Sequence, residues 1–408
     1  MKNFHSPVLF LLALTLFGSC KQNNKNTNMA ESNEKQDSVY VVDLKAVDYA
    51  FAMPSEFPSG WITFRMENMG EQNHVAMIYE STSDLSIEEI RSKMDSADYD
   101  FPRTLVGGPG FHSPNQKSDI TIHLEPGNYV MTCFLKTESG KSHFDLGMKR
   151  AFRVTENLSG ATKPNADTQI TLKKYDNSRS KSFAEGQQTV EIIHEDFPLD
   201  FHLLEVKDST TIEKALRYMD VIQDPSPVEW LTGVKQADAG RSTFITYSFS
   251  PGEYAWISHE FGLWGVMDRF TIEEGATENR IIKNQEEKNV NKVEIQVVKN
   301  DILVNGDIKA GINTFHFLNN AKDEHDIYIV RIKEGENKES FLKWLNLPRE
   351  KKTYGSWPWR AYPIKLKGEE NTATVEVNPG TYLISCNAKS ENGKRHHDQG
   401  EITEFVVK

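Results

Sequence analysis

Cysteine is scarce in this sequence: only Cys20, Cys133 and Cys386 occur among 408 residues. Cys20 lies in the N-terminal leader, so two thiols remain for the body of the chain. A disulfide between Cys133 and Cys386 is the poorer reading, because each occupies the same place in its own repeat and each has a His downstream. Two equivalent thiols of that kind fit two metal sites better than one bridge. Positive charge is scarce too. Lys and Arg number 47 against 59 Asp and Glu, a formal net charge of -12. Phosphate backbones need clustered basic side chains, so no nucleic-acid partner is expected, and the acid excess reads as solubility. Beyond residues 8–17 no apolar run approaches membrane-spanning length. No nucleophile triad, phosphate loop, paired-carboxylate motif or zinc-protease helix stands out, and enzyme is the least supported class. What the chain does have is a 38% hydrophobic share, 25 glycines and 16 prolines, which suit a loop-rich β protein with packed cores.

The first twenty residues read as a leader. Lys2 supplies a basic start, and residues 8–17 form a short apolar run. Leu16-Phe17-Gly18-Ser19-Cys20 then resembles a bacterial lipobox, with Cys20 as the acylated first residue of the mature chain. Residues 21–38 are polar and nearly free of large apolar side chains, so they form a tether rather than a fold. The expected partner at this end is a membrane, reached through the lipid on Cys20. The expected location is the cell envelope, at the outer membrane, periplasmic or surface-exposed.

Length alone points to two to four domains, and internal similarity gives three. Pro126-Gly127-Asn128-Tyr129 recurs as Pro251-Gly252-Glu253-Tyr254 and Pro379-Gly380-Thr381-Tyr382. Pro-Gly marks a turn. The alternating residues after it (Tyr129, Met131, Cys133; Tyr254, Trp256, Ser258; Tyr382, Ile384, Cys386) predict half-buried strands. Upstream, Gly60-Trp61-Ile62-Thr63-Phe64 leads to Asn68 and His74. Gly311-Ile312-Asn313-Thr314-Phe315 leads to Asn319 and His325 at the same spacing. The middle copy has Asp200 where His74 is expected, and His202 two residues on. Helical spacing appears at residues 86–94, 210–219 and 337–345. Polar linkers place the domains at 39–155, 168–274 and 292–407, each the size of an antiparallel β-sandwich with a helical insertion.

His74, Cys133, His143 and Met148 together offer two imidazoles, a thiolate and a weak thioether, a ligand set suited to copper. His325, Cys386 and His396 repeat it, with Glu401 in the place of Met148. Asn319-Asn320-Ala321-Lys322-Asp323-Glu324-His325-Asp326 resembles the first-histidine stretch of plastocyanin-type proteins, and the Pro-Gly-x-Tyr strand ending in Cys completes the likeness. The chain therefore resembles the cupredoxin family, once per repeat. The resemblance implies three tandem Greek-key β-sandwiches and copper held at one end of a sandwich. The four residues between His143 and Met148 match the family's spacing. The nine between Cys133 and His143 do not, and T-E-S-G there reads as a hairpin tip.

This reading expects one copper ion in the first domain and an altered second site in the third. Glu401 would favour Cu(II) and lower the potential, or suit another metal. The middle domain has Ser258 for Cys and Val266 for Met, and is expected to bind no metal. His112, His123, His259 and His397 are expected in loops or at the surface, with His397 kept as an alternative ligand. Three such domains also resemble multicopper oxidases, but the chain has no H-x-H pair for a trinuclear centre, so an oxidase is not expected. The expected function is a membrane-tethered copper protein for electron transfer or copper handling, with a redox protein as partner. The alternative is a metal-free lipoprotein scaffold for binding or assembly.

Overall fold

The computed structural model describes residues 39–96, 102–173, 176–208, 211–258, 267–281, 291–299, 301–332, 335–347, 359–364, 367–368, 370–377 and 379–408. The leader with Cys20, the tether at residues 21–38, His259 and Val266 lie outside them. The fold is all-β, with one short α-helix in each of three segments among the described residues. Among the described residues no helix is long and apolar enough to cross a membrane.

Each Pro-Gly turn opens a strand: Gly127–Thr132, Gly252–Ile257 and Gly380–Cys386. The motif's tyrosine closes its own turn. Tyr129 Oη donates to the Glu125 carbonyl at 2.8 Å, and Tyr254 Oη to the Ser250 carbonyl at 2.9 Å. The expectation of half-buried strands is corrected here. Tyr129, Val130, Met131 and Thr132 are all buried. Tyr129 and Met131 enter the main core, while Val130 lies under a helix against Ile90 and Met94. Leu383 meets Phe341 and Leu345 in the same way. The helical insert covers the second face of the strand, so both faces are dry. The helices begin where capping chemistry permits. Ser86 caps Ile87–Asp95 in a reciprocal box with Glu89, and Asn337 caps Lys338–Leu345. The middle helix is Thr211–Val221.

Two sheet patterns recur. In the first, Arg103–Gly107, Met77–Ser81, Gly127–Thr132 and Lys149–Leu158 lie side by side in that order. Trp230–Val234, Phe201–Glu205, Gly252–Ile257 and Met267–Ile272 follow the same order, as do Trp359–Ile364, His325–Arg331, Gly380–Cys386 and Ile402–Val407. In the second, Val41–Val47 runs parallel to Glu56–Asn68, which pairs antiparallel with Lys117–Leu124. Thr168–Lys173, Gly186–His194 and Ser242–Phe249 repeat this, and so do Asn291–Val298, Gly311–Asn319 and Glu370–Val377.

The first and middle segments share one sheet. Lys117–Leu124 pairs antiparallel with Ser242–Phe249, Thr243 opposite Ile122 and Thr246 opposite Asp119. One apolar core accordingly runs from Val42 to Ile272. The third segment has its own core, from Val293 to Val407.

Candidate metal centres

The strand Gly127–Thr132 delivers Cys133 into the core, where its N–H donates to the Met148 carbonyl at 3.1 Å. The long interval after Cys133 folds out as a hairpin. Lys136 bridges Ser142, and Gly140 turns the tip with φ +83°, a conformation that favours glycine. The His143 N–H then donates to the Leu135 carbonyl at 2.8 Å, which returns the ring to the thiol. His143 Nδ1 lies 3.5 Å from Cys133 Sγ. His74 comes from the other side, its backbone paired with His112. Donor atoms of His74, Cys133 and His143 all lie within 4.8 Å of one another. Met148 is fully buried, and its N–H donates to the His143 carbonyl at 2.9 Å.

Outer contacts fix how the two imidazoles face. His74 Nε2 lies 2.6 Å from Asp48 Oδ1, and His143 Nε2 lies 3.0 Å from Gln72 Oε1. A carboxylate and an amide oxygen only accept, so each Nε2 carries the proton and each Nδ1 presents a lone pair inward. His74 Nδ1 is buried and makes no hydrogen bond among the described residues, as expected for an atom kept for a ligand. Asp48 is held in turn by the Glu71 N–H at 2.8 Å. Gly70 makes the approach possible, because a Cβ there would stand 2.3 Å from Asp48 Oδ1 and 2.7 Å from His74 Nε2. Asn68 pins the loop before His74, donating from Nδ2 to the Gln72 and His112 carbonyls at 2.8 Å each. Burial pushes the Cys133 thiol up to about 12 and holds His143 down at about 4. It also lowers His74, against the opposing pull of Asp48. The uncharged imidazoles are ready ligands, and a cation binding the thiolate displaces its proton.

The second set is tighter. His325 Nδ1 lies 3.0 Å from Glu401 Oε2, 3.1 Å from His396 Nδ1 and 3.5 Å from Cys386 Sγ. His396 Nδ1 lies 3.4 Å from Cys386 Sγ and 3.3 Å from Glu401 Oε2. All four residues are buried, and burial pushes Cys386 up to about 12. Asn319 pins this loop too, donating to the Asp323 carbonyl at 2.9 Å. Ala321 stands two residues after Asn319, where Gly70 follows Asn68. His325 Nε2 has no hydrogen-bond partner among the described residues. The carboxylate thus sits behind the imidazole in the first set and among the donors in the second.

The middle segment fills its corresponding region with a charge pair. Asp200 Oδ2 accepts from Lys235 Nζ at 2.7 Å and lies 3.0 Å from His202 Nε2, while Ser258 Oγ donates to Oδ1 at 3.4 Å. His202 Nδ1 accepts the Phe111 N–H at 3.1 Å. An ammonium therefore neutralises the carboxylate that stands at the first-histidine position.

Of the histidines expected in loops or at the surface, His112 does lie in a loop, between the strands Arg103–Gly107 and Lys117–Leu124, but it and His397 are buried. His112 lies 2.6 Å from Ser118 Oγ and 3.1 Å from the Gly110 carbonyl. His397 turns its Nδ1 to the Cys386 carbonyl at 3.1 Å and is outside the donor set. Ordered loop packing around the ligands keeps both inside. His123 is half-buried. Sequence reasoning missed Asp48, Gln72 and Lys235, whose spacing to the ligands carries no periodic signal.

No family model matches the chain, and no curated protein does. Among solved structures it is similar to auracyanin A, a "blue" copper protein from Chloroflexus aurantiacus, at 21% identity over 29% of this chain and 98% of that one, TM-score 0.19. It is also similar to a copper-containing nitrite reductase from Thermus scotoductus, at 10% identity over 90% and 98%, TM-score 0.17. A third is a multicopper oxidase from Pediococcus acidilactici, at 10% identity over 91% and 87%, TM-score 0.18. The expectation that this chain is not an enzyme is corrected by the last two, since chains matched over nearly its whole length are enzymes by title. Missing H-x-H pairs, triads and phosphate loops test a few arrangements only, and ligands spread along a chain escape such motifs. At these TM-scores the matches assign no activity in its place. The fold is all-β, and its two buried donor sets are of a kind that fits copper.

Proposed function

We propose that the chain is a membrane-tethered copper protein of the cell envelope, serving electron transfer or copper handling, built as three tandem cupredoxin-like repeats at residues 39–155, 168–274 and 292–407. The observation that carries this reading is the inward pair of imidazole Nδ1 atoms beside Cys133 Sγ, one of them buried without a partner. His74, Cys133 and His143 would hold the ion, with Met148 as the weak fourth ligand. Copper in such a set supplies a one-electron couple that needs little rearrangement on changing charge. The protein's share is to keep the site dry, hold both rings by Asp48 and Gln72, and release the thiol proton on loading. The titles of the similar structures, copper proteins all, agree with this choice of metal. A redox protein is the proposed partner.

Copper(II) added to the reduced full chain should produce a visible thiolate-to-copper charge-transfer band, and Cys133→Ser should remove the first centre's share while the fold persists. No such band in the native chain would sink the copper reading in favour of a scaffold. Anchoring is tested separately. We propose lipidation at Cys20, with two or more acyl chains giving stable attachment. Cys20→Ala should move the protein to the soluble fraction, and a variant that stays wholly with membranes would refute the anchor.

A further inference from the structure

We propose that the second centre, formed by His325, Cys386, His396 and Glu401, is a closed four-donor site selective for a divalent cation. It holds its ion in the divalent state under conditions where the first centre accepts cuprous ion. This rests on the reading of both donor sets as metal sites.

Geometry carries the first half of the argument. Five of the six donor pairs lie 3.0, 3.1, 3.3, 3.4 and 3.5 Å apart, and the sixth, the Cys386 thiol to the Glu401 carboxylate, lies within 4.8 Å. Four donors this close can surround one ion, and the five short contacts match the edges of a tetrahedral site. An edge is about 1.6 times the distance to the centre, so bonds of about 1.8–2.1 Å are implied, close to the ~2.0–2.3 Å of tetrahedral nitrogen, oxygen and sulfur sites. Glu401 Oε2 stands no further from the imidazoles, at 3.0 and 3.3 Å, than Cys386 Sγ does at 3.5 and 3.4 Å. The oxygen is therefore a full ligand, unlike a distant axial thioether. Four protein donors fill a four-coordinate ion and leave it no open position.

Charge carries the second half. Every donor residue is buried. The described ion pairs of Glu401 run to His325 and His396, the ligands themselves, so its charge is left for the metal to balance. A thiolate and a carboxylate together neutralise a divalent cation and leave a monovalent one with a net negative charge in a dry site. The first centre has one anionic donor, Cys133, and reverses the preference: it is neutral with a monovalent cation. Buried net charge is costly, so the two centres favour different charge states. A hard carboxylate disfavours the soft cuprous ion in the same direction.

The experiment uses the full chain in three forms. Cys133→Ser isolates the second centre, Cys386→Ser isolates the first, and Glu401→Gln added to Cys133→Ser keeps an oxygen donor without its charge. With Co²⁺ as probe, Cys133→Ser should bind one ion with the intense visible bands of tetrahedral thiolate coordination. With Cu⁺ partitioned against a cuprous chelator, Cys133→Ser should surrender the ion at least about tenfold more readily than Cys386→Ser. Adding Glu401→Gln should remove most of that difference. A Cys133→Ser protein that binds no Co²⁺, an equal grip on Cu⁺ by the two centres, or a silent Glu401→Gln would each overturn the proposal. A Cys386→Ser protein that binds no copper would sink the first-centre reading alone. The pair Cys133→Ser with and without Glu401→Gln would still decide this one.

Discussion

Asp48 donates nothing to the first centre directly, yet the 2.6 Å contact to His74 Nε2 settles which nitrogen of that ring faces the thiol. Removing such an outer partner frees the tautomer and the ring torsion together. Asp48→Ala should weaken copper binding by roughly 10–100-fold, read by competition against a chelator. An unchanged affinity would mean that packing alone orients the ring. His194 makes a second residue-scale case, away from both donor sets. Both of its ring nitrogens are buried without hydrogen-bond partners among the described residues, and burial holds it down at about 4 against the raising pull of Asp200. Between its ordinary value of 6.5 and about 4, the unfolded chain takes up a proton that the native state refuses. Stability should therefore fall as pH drops through that window, by on the order of 1–3 kcal/mol from this ring. His194→Gln should flatten that part of the urea-midpoint profile, and an identical profile in the variant would refute the assignment.

The hairpin between Cys133 and His143 is held by the middle segment. The Lys136 N–H donates to the Ile222 carbonyl at 2.8 Å, the Asp224 N–H donates to the Lys136 carbonyl at 2.9 Å, and Gln223 Nε2 reaches the Glu138 carbonyl at 2.7 Å. Asp224 also binds the residue before the first ligand, accepting from the Asn73 N–H at 3.0 Å, Asn73 Nδ2 at 2.8 Å and Tyr218 Oη at 3.0 Å. One buried carboxylate thus steadies both chain segments that feed the first centre. Asp224→Ala orphans the Asn73 N–H and should cost roughly 1–3 kcal/mol of stability. It should also broaden the first centre's charge-transfer band while the second centre's Co²⁺ spectrum stays unchanged; equal change at both centres would mean a global effect. The sequence showed this much only in part. Turns, strands, helical inserts and ligand types were legible, because Pro-Gly, the helical spacing of Ile87, Ile90 and Met94, and the Cys-to-His spacing are local signals. The docking of residues 136–138 on 222–224 was not, because it joins backbone groups about 85 residues apart and leaves no mark on either stretch. Asp48 behind His74 was hidden for the same reason. Burial of both faces at Val130 was missed because an apolar residue under a helix looks the same in sequence as one facing solvent by chance.

At the scale of the whole molecule, sheet and core define what unfolds together. The antiparallel pairing of residues 119–122 with 243–246 continues one sheet from the first segment into the middle one, and the core from Val42 to Ile272 crosses the join. Phe64, Phe152, Phe201, Phe244 and Trp256 are all fully buried within these two segments. Burying each such side chain contributes ~1.5–3 kcal/mol, so neither half keeps its stability once the other opens. The third segment keeps a separate core, from Val293 to Val407. Cooperativity follows shared burial, so two thermal transitions are expected, a larger one for residues 39–281 and a smaller one for the third segment. Metal makes the partition testable. An ion that binds only the native state stabilises it by ~2.7 kcal/mol at a hundred times its dissociation constant. With Cys133→Ser, Co²⁺ should raise the smaller transition and leave the larger where it was. With Cys386→Ser, copper should do the reverse. A single calorimetric transition that moves as a whole with either ion would show that the third segment unfolds with the others, and the separation of the cores would then have no thermodynamic meaning.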